Sequence, residues 1–185
     1  KRQTQDFIDA IKKSGAKKAI VLPNNGNIVM AAKQAAEVSD IPVGIVPTKT
    51  ISQGLTAMLS FNPDASVDEN VEAMTEDLDT VVSGEVTQAT RDTEIDEVEI
   101  HKNDYLGIVD GKIKVDNADL IKTTVDMIEK MLDEDSEIIT IMFGRDASEE
   151  QAQEVVEQLE AKHDDLEFEI HDGGQPVYHF LVSVE

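Results

Sequence analysis

The sequence has no cysteine, and only 4% of its residues are aromatic. Without cysteine there are no disulfides and no thiolate metal sites, which suits a reducing, cytoplasmic setting. No apolar run approaches the roughly 20 residues needed to cross a bilayer. No basic start followed by an apolar stretch marks a secretory leader. Basic residues are scarce too: 16 Lys and Arg face 39 Asp and Glu, for a formal charge of −23. Such a surface repels phosphate backbones and argues against nucleic acid as a partner. It also opposes docking on anionic lipid, so no membrane insertion is expected. A partner with a basic face is the natural complement, although solubility or adaptation to salt would account for the same charge. Few aromatics with many acids is also a signature of disorder, against which the hydrophobic periodicity described next argues.

What is present is a patterned chain of 185 residues, enough for one large domain or two small lobes with a real core. It starts on Lys1 instead of Met, which reads as a piece of a longer polypeptide, although removal of a tag or leader leaves the same mark. Residues 4–13 have helical spacing, with Thr4 as the expected cap, Phe7, Ile8 and Ile11 on one face, and Gly15 as the stop. Lys18–Leu22 reads as a buried strand, residues 28–38 as a helix and Val43–Val46 as a second strand, giving a right-handed parallel βαβ unit. Ile51–Ser60 reads as a helix with Leu55, Met58 and Leu59 inward. Ser66 and Glu69 have capping-box spacing ahead of a stripe of Val67, Val71, Met74, Leu78 and Val81.

From Val86 onward the pattern turns to period two. Tyr105–Val109 and Lys112–Val115 flank Asp110-Gly111, the signature of a type I′ hairpin. Residues 118–132 read as a helix with Ile121, Val125, Ile128 and Leu132 inward. Ile138–Phe143 reads as a strand, and Ser148 with Gln151 opens another helix. Leu166–Ile170 and Tyr178–Val184 complete the strands. The expectation is an α/β protein of two small lobes, 1–85 and 86–185, joined near residues 84–97. The first holds the parallel βαβ unit, and the second is mixed with a β-hairpin.

Four polar segments are candidates for binding. Asn24, Asn25, Gly26 and Asn27 lie after the first strand and before a helix, where open α/β sheets place ligands and where free amides favour an anion. Thr48, Lys49, Thr50 and Gln53 follow the second parallel strand and should lie beside them. For both segments an ordinary helix cap and turn is the favoured reading on composition alone. Arg91 and Asp92 fall in the polar stretch expected between lobes, where the arginine's simplest role is to pair with an acid. Gly173, Gly174 and Gln175 allow close backbone approach or positive φ, which a loop turn also explains. His101, His163, His171 and His179 are scattered without zinc spacing, so no metal site is expected. No nucleophile elbow or phosphate loop occurs, and no catalytic set is assigned.

Three blocks resemble a known family: residues 19–63, which contain PNNGN and PTKTISQGL; residues 89–113, ATRDTEIDEVEIHKNDYLGIVDGKI; and residues 171–185, HDGGQPVYHFLVSVE. They are similar to the C-terminal region of the large subunit of bacterial fatty acid kinase, of the dihydroxyacetone-kinase-like family. The resemblance implies a parent with an N-terminal kinase domain, which would hold ATP and magnesium, and a middle domain. It implies phosphorylation of a fatty acid carried by a separate fatty-acid-binding subunit, giving acyl phosphate for phospholipid synthesis. This region would dock that subunit, would have no catalytic residue or cofactor of its own, and would leave any homodimer to the parent protein. The alternative reading is a small anionic ligand-binding or regulatory module.

Overall fold

The protein's structure, a computed structural model, describes residues 2–185. The chain divides into two compact units, Lys1–Thr80 and Val81–Glu185.

The first unit runs α1 (Arg2–Ser14), β1 (Ala19–Val21), a short 3-10 turn (Gly26–Ile28), α2 (Val29–Glu37), β2 (Val43–Ile45), α3 (Ile51–Met58) and α4 (Val67–Thr80). The strands β1 and β2 are parallel, with Ala19 opposite Val43 and Val21 opposite Ile45. The expected βαβ unit is therefore present. Thr4 is not a cap: α1 starts at Arg2, and the Thr4 hydroxyl donates to Gln34 Oε1 at 3.0 Å. Gly15, at φ 65, takes the left-handed conformation that ends α1.

The inner face of α3 also differs from expectation. Ser52, Gly54, Thr56 and Ala57 are buried, whereas Met58 and Leu59 are 47% and 52% exposed. The reason is steric. A Cβ on Gly54 would lie 2.1 Å from Asn24 Oδ1, so only a side of small residues can face that loop. The capping box forms as expected, with Glu69 N–H donating to Ser66 Oγ at 3.1 Å and Ser66 N–H to Glu69 Oε1 at 3.2 Å. The Ser66 hydrogen bonds hold the Glu69 carboxyl below its ordinary range. Against β2, α4 packs so tightly that a Cβ on Gly44 would come within 2.3 Å of Val71 Cγ2. Val46, Ala57 and Met74 form the buried core there.

The second unit contains β3 (Val82–Gln88), β4 (Thr93–Ile95), β5 (Val98–Ile100), β6 (Tyr105–Val109), β7 (Lys112–Asn117), α5 (Leu120–Met131), β8 (Ile138–Phe143), α6 (Glu149–Glu160), β9 (Glu167–Asp172) and β10 (Tyr178–Val184). Six strands form one mixed sheet in the order β7-β6-β3-β10-β8-β9. Only β8 and β9 are parallel, joined by α6 as a crossover. The strand β3 begins at Val82, ahead of the expected change at Val86, because Ser83, Gly84 and Glu85 are buried without an apolar signal. Gly84 and Gly107 leave room for Met127 of α5: a Cβ on either would sit 3.1 Å or less from its side chain. Val86, Met127, Ile128, Ile139, Ile141, Val155, Leu159 and Phe180 anchor the large core of this unit.

Asp110 and Gly111, at φ 52 and 77, make the type I′ turn that was expected. A second hairpin, β4–β5, was not expected. Its turn residues Asp96 and Glu97, at φ 50 and 68, have the same conformation without the Asn-Gly or Asp-Gly signature. It covers a satellite core of Ala89, Ile100 and Leu106.

Candidate functional site

In the first unit the two polar loops meet. Thr48, fully buried, donates its hydroxyl hydrogen to Asn24 Oδ1 at 2.8 Å and accepts from Asn24 N–H at 2.9 Å. Thr50 caps α3, accepting from Gln53 N–H at 3.1 Å, and its hydroxyl lies 3.0 Å from Ser52 Oγ. Gln53 Oε1 accepts from Lys49 N–H at 2.7 Å, and Asn25 Oδ1 from Asn27 N–H at 2.9 Å. Gly26 faces the Lys49 stem, which its Cβ would meet at 3.7 Å. These hydrogen bonds tie the two strand ends together and use many of the donors and acceptors an anion would need. Asn24 takes φ 60, the left-handed region that Asn tolerates better than most residues.

The other two segments belong to the second unit. Arg91 and Asp92 precede β4 and so lie within that unit instead of between lobes. Among the described residues Arg91 makes no ion pair, contrary to expectation; Asp92 Oδ1 accepts from Lys102 N–H at 2.7 Å and fastens the turn after β5. Gly173, Gly174 and Gln175 join β9 to β10. Gln175 Nε2 donates to Met142 O at 3.3 Å and Tyr178 O at 3.1 Å, and Arg145 Nε donates to Gly174 O at 3.2 Å. Gly174 needs its φ of 62, and Gly173 has no room for a Cβ, which would lie 2.0 Å from Gln175 Oε1. Val177 is held at φ 71, a strained backbone for a β-branched residue.

Beside this turn, His179 is buried with its edge against Tyr105, ring centroids 5.2 Å apart, and its Nδ1 has no partner. Burial pushes its pKa down, and the nearby Asp146 charge offsets part of that. The adjacent Tyr178 hydroxyl is pushed up by burial and by the Glu85 carboxylate. Sequence spacing gave no sign of His179 as a buried group, because no partner residue stands at a recognisable interval.

The units differ sharply in charge. The first holds 8 basic and 11 acidic residues, the second 8 and 28. Residues 149–172, which include α6 and β9, hold ten acids against one lysine, Lys162. Glu149, Glu150, Glu154, Glu157 and Glu160 are all exposed on α6, and Glu167 and Glu169 on the edge strand β9.

The fold recurs in solved proteins. The Streptococcus pneumoniae fatty acid kinase (Fak) B3 protein, solved loaded with linoleic acid, is similar with a TM-score of 0.58 at 13% identity, over 98% of this chain and 75% of that one. A DegV family protein from Eubacterium eligens, solved with heptadecanoic acid, gives 0.59 at 10% identity, over 98% and 77%. At such identities the likeness defines a class by fold alone: an α/β domain built as in the DegV family. In sequence, a protein of Staphylococcus aureus strain USA300 is 41% identical over 182 residues, 98% of this chain and 33% of that protein. The chain thus spans about a third of the length of the curated relatives it matches. The family model for the FakA-like C-terminal domain, from the A-like subunit of fatty acid kinase, matches residues 1–185, and the chain belongs to that family.

Proposed function

We propose that this chain is the docking module in the large subunit of a fatty acid kinase and does no chemistry of its own. It engages a separate fatty-acid-binding subunit in the cytoplasm, so that a kinase domain elsewhere in the parent, with ATP and magnesium, phosphorylates the bound fatty acid. Membership of the FakA-like C-terminal family supports this reading. The observation that carries it is the charge distribution, with 28 acids against 8 bases in residues 81–185. Charge of one sign on one face steers a partner of opposite sign and selects against wrong ones. The outer side of α6 is the best candidate, because Glu150, Glu154 and Glu157 are exposed there at helical spacing, whereas Glu167 and Glu169 of β9 alternate with the core-facing Phe168 and Ile170 and lie on the other side of the sheet.

The anionic-ligand alternative finds less support. Thr48, Thr50, Asn24 and Gln53 engage one another, which leaves Lys49 as the cation there.

The test is a calorimetric titration of this protein with its cognate fatty-acid-binding subunit. The wild type binds saturably. Glu150→Gln, Glu154→Gln and Glu157→Gln together weaken it and slow association, whereas Glu134→Gln with Asp135→Asn, in the acidic run after α5, changes it little. If the wild type shows no binding, the docking reading is wrong.

A further inference from the structure

Three side chains away from the loops above converge in the second unit. His101, Asp104 and Asp116 each place one metal-ligating atom within 4.8 Å of the other two. His101 and Asp104 come from the turn after β5. Asp116 comes from the edge strand β7, opposite Leu106. The turn is set by its own hydrogen bonds. Asp104 N–H donates to His101 O at 3.0 Å, Asn103 N–H to Ala89 O at 2.9 Å, and Ala89 N–H to Asp104 O at 2.8 Å. Asn103 takes φ 74, and Gln88 Nε2 donates to its carbonyl at 3.0 Å. The backbone that carries the imidazole and the Asp104 carboxylate is therefore fixed in advance.

A second observation concerns Asp116 itself. Asp116 is half-buried; its Oδ1 is shielded from solvent without a partner, and burial and the adjacent Asp104 carboxyl push its pKa up. A buried acceptor without a donor is costly, and more so when it is charged. Its neighbour Asp104 is a like charge. Two carboxylates this close both ionise readily only with a cation between them; otherwise they share a proton. The His101 ring is itself flanked by acids, Nδ1 lying 3.7 Å from Asp104 Oδ2 and Nε2 3.6 Å from Glu99 Oε1. Its 63% exposed side chain leaves an entry path for a hydrated ion.

The location gives such an ion a task. The satellite core under β4–β5 is small, with Ala89, Ile100 and Leu106 as its buried residues, and the chain has no cysteine to staple it. Small cores commonly need a metal or a disulfide. One imidazole with two carboxylates matches the ligand preference of zinc-like ions better than that of calcium, which favours an all-oxygen shell. We propose that His101, Asp104 and Asp116 bind one divalent transition-metal cation of the zinc type, which clips the β4–β5 hairpin to β7.

The test uses the chelator-stripped 185-residue protein titrated with zinc chloride by calorimetry, with thermal melts alongside. One ion should bind per chain, and Tm should rise with zinc. Asp116→Asn and His101→Gln should each weaken binding by at least about ten-fold. Glu134→Gln with Asp135→Asn should leave it unchanged. Three results would overturn the proposal. One is no saturable uptake. Another is uptake weakened as much by the distant pair as by Asp116→Asn, which marks diffuse attraction. The last is a wild-type Tm indifferent to zinc but raised by Asp116→Asn, which marks a shared proton and no ion. His101→Gln alters an exposed side chain, so the test stands even if Asp116→Asn does not fold.

Discussion

The two units solve the same problem, burying a sheet under helices, with different materials. The second unit has a large core of aliphatic side chains around Phe180, and it carries nearly all of the excess negative charge. The first has two strands of three residues and a core of Val46, Ala57 and Met74, supplemented by small residues on α2 and α3. It also leaves Met30, Val38, Met58, Leu59 and Phe61 at least 41% exposed. A cavity of about 250 Å³ lies among Ile20, Leu22, Met58, Phe61 and Met74, with Lys18 in its wall. The second unit, filled by large side chains, leaves fewer large apolar groups exposed, Ile95 and Val177 among them, and its charged residues are predominantly acidic. The first, filled by smaller ones, depends on close approach at Gly44 and Gly54 and leaves more apolar groups outside.

The comparison can be broken by mutation, the largest effect coming from the second unit. Phe180, fully buried at the centre of the sheet, should cost about 3–5 kcal/mol as Phe180→Ala by denaturant unfolding. A small loss there would mean that the large core is not what stabilises that unit. In the first unit the sensitive positions are glycines. Gly44→Ala forces a Cβ against Val71 and Val67 and should cost about 1–3 kcal/mol. A neutral result would show that α4 can retreat from β2 and that the packing is loose.

The smallest expected effect is one of pH. Burial lowers the folded-state pKa of His179 below its ordinary 6.5, so the unfolded chain takes up its proton first. Stability from this group is therefore full above about pH 6.5 and falls as pH drops through the window beneath it. His179→Phe keeps an aromatic edge for Tyr105 and removes the unpartnered Nδ1. The stability difference between pH 7.5 and pH 5.5, measured by urea unfolding, should narrow in that variant. An unchanged difference would place the pH dependence elsewhere.

Periodicity made the helices and most strands legible in the sequence, and turn chemistry made the Asp110-Gly111 hairpin legible. The failures have physical causes. The start of β3 was hidden because Ser83, Gly84 and Glu85 are buried by tertiary pairing against β10, not by their own hydrophobicity. The β4–β5 hairpin was hidden because its turn uses Asp96-Glu97. The inner face of α3 was misassigned because Gly54 and Asn24 decide it, and their contact spans 30 residues. For the site, the meeting of the Asn24 and Thr48 loops followed from the parallel strands. That their polar groups satisfy each other did not. His101, Asp104 and Asp116 were obscured among 39 acids, since the third ligand arrives only across a hairpin.

The proposed docking role depends most on the acidic charge of the second unit. Its most direct test is calorimetry of this protein with its fatty-acid-binding subunit, run at about 0.01 M and about 1 M ionic strength, where the Debye length shrinks from about 30 Å to 3 Å. The account predicts saturable binding that weakens steeply with salt. Binding of equal strength at both would contradict a role for the charge, and no binding at either would contradict docking itself.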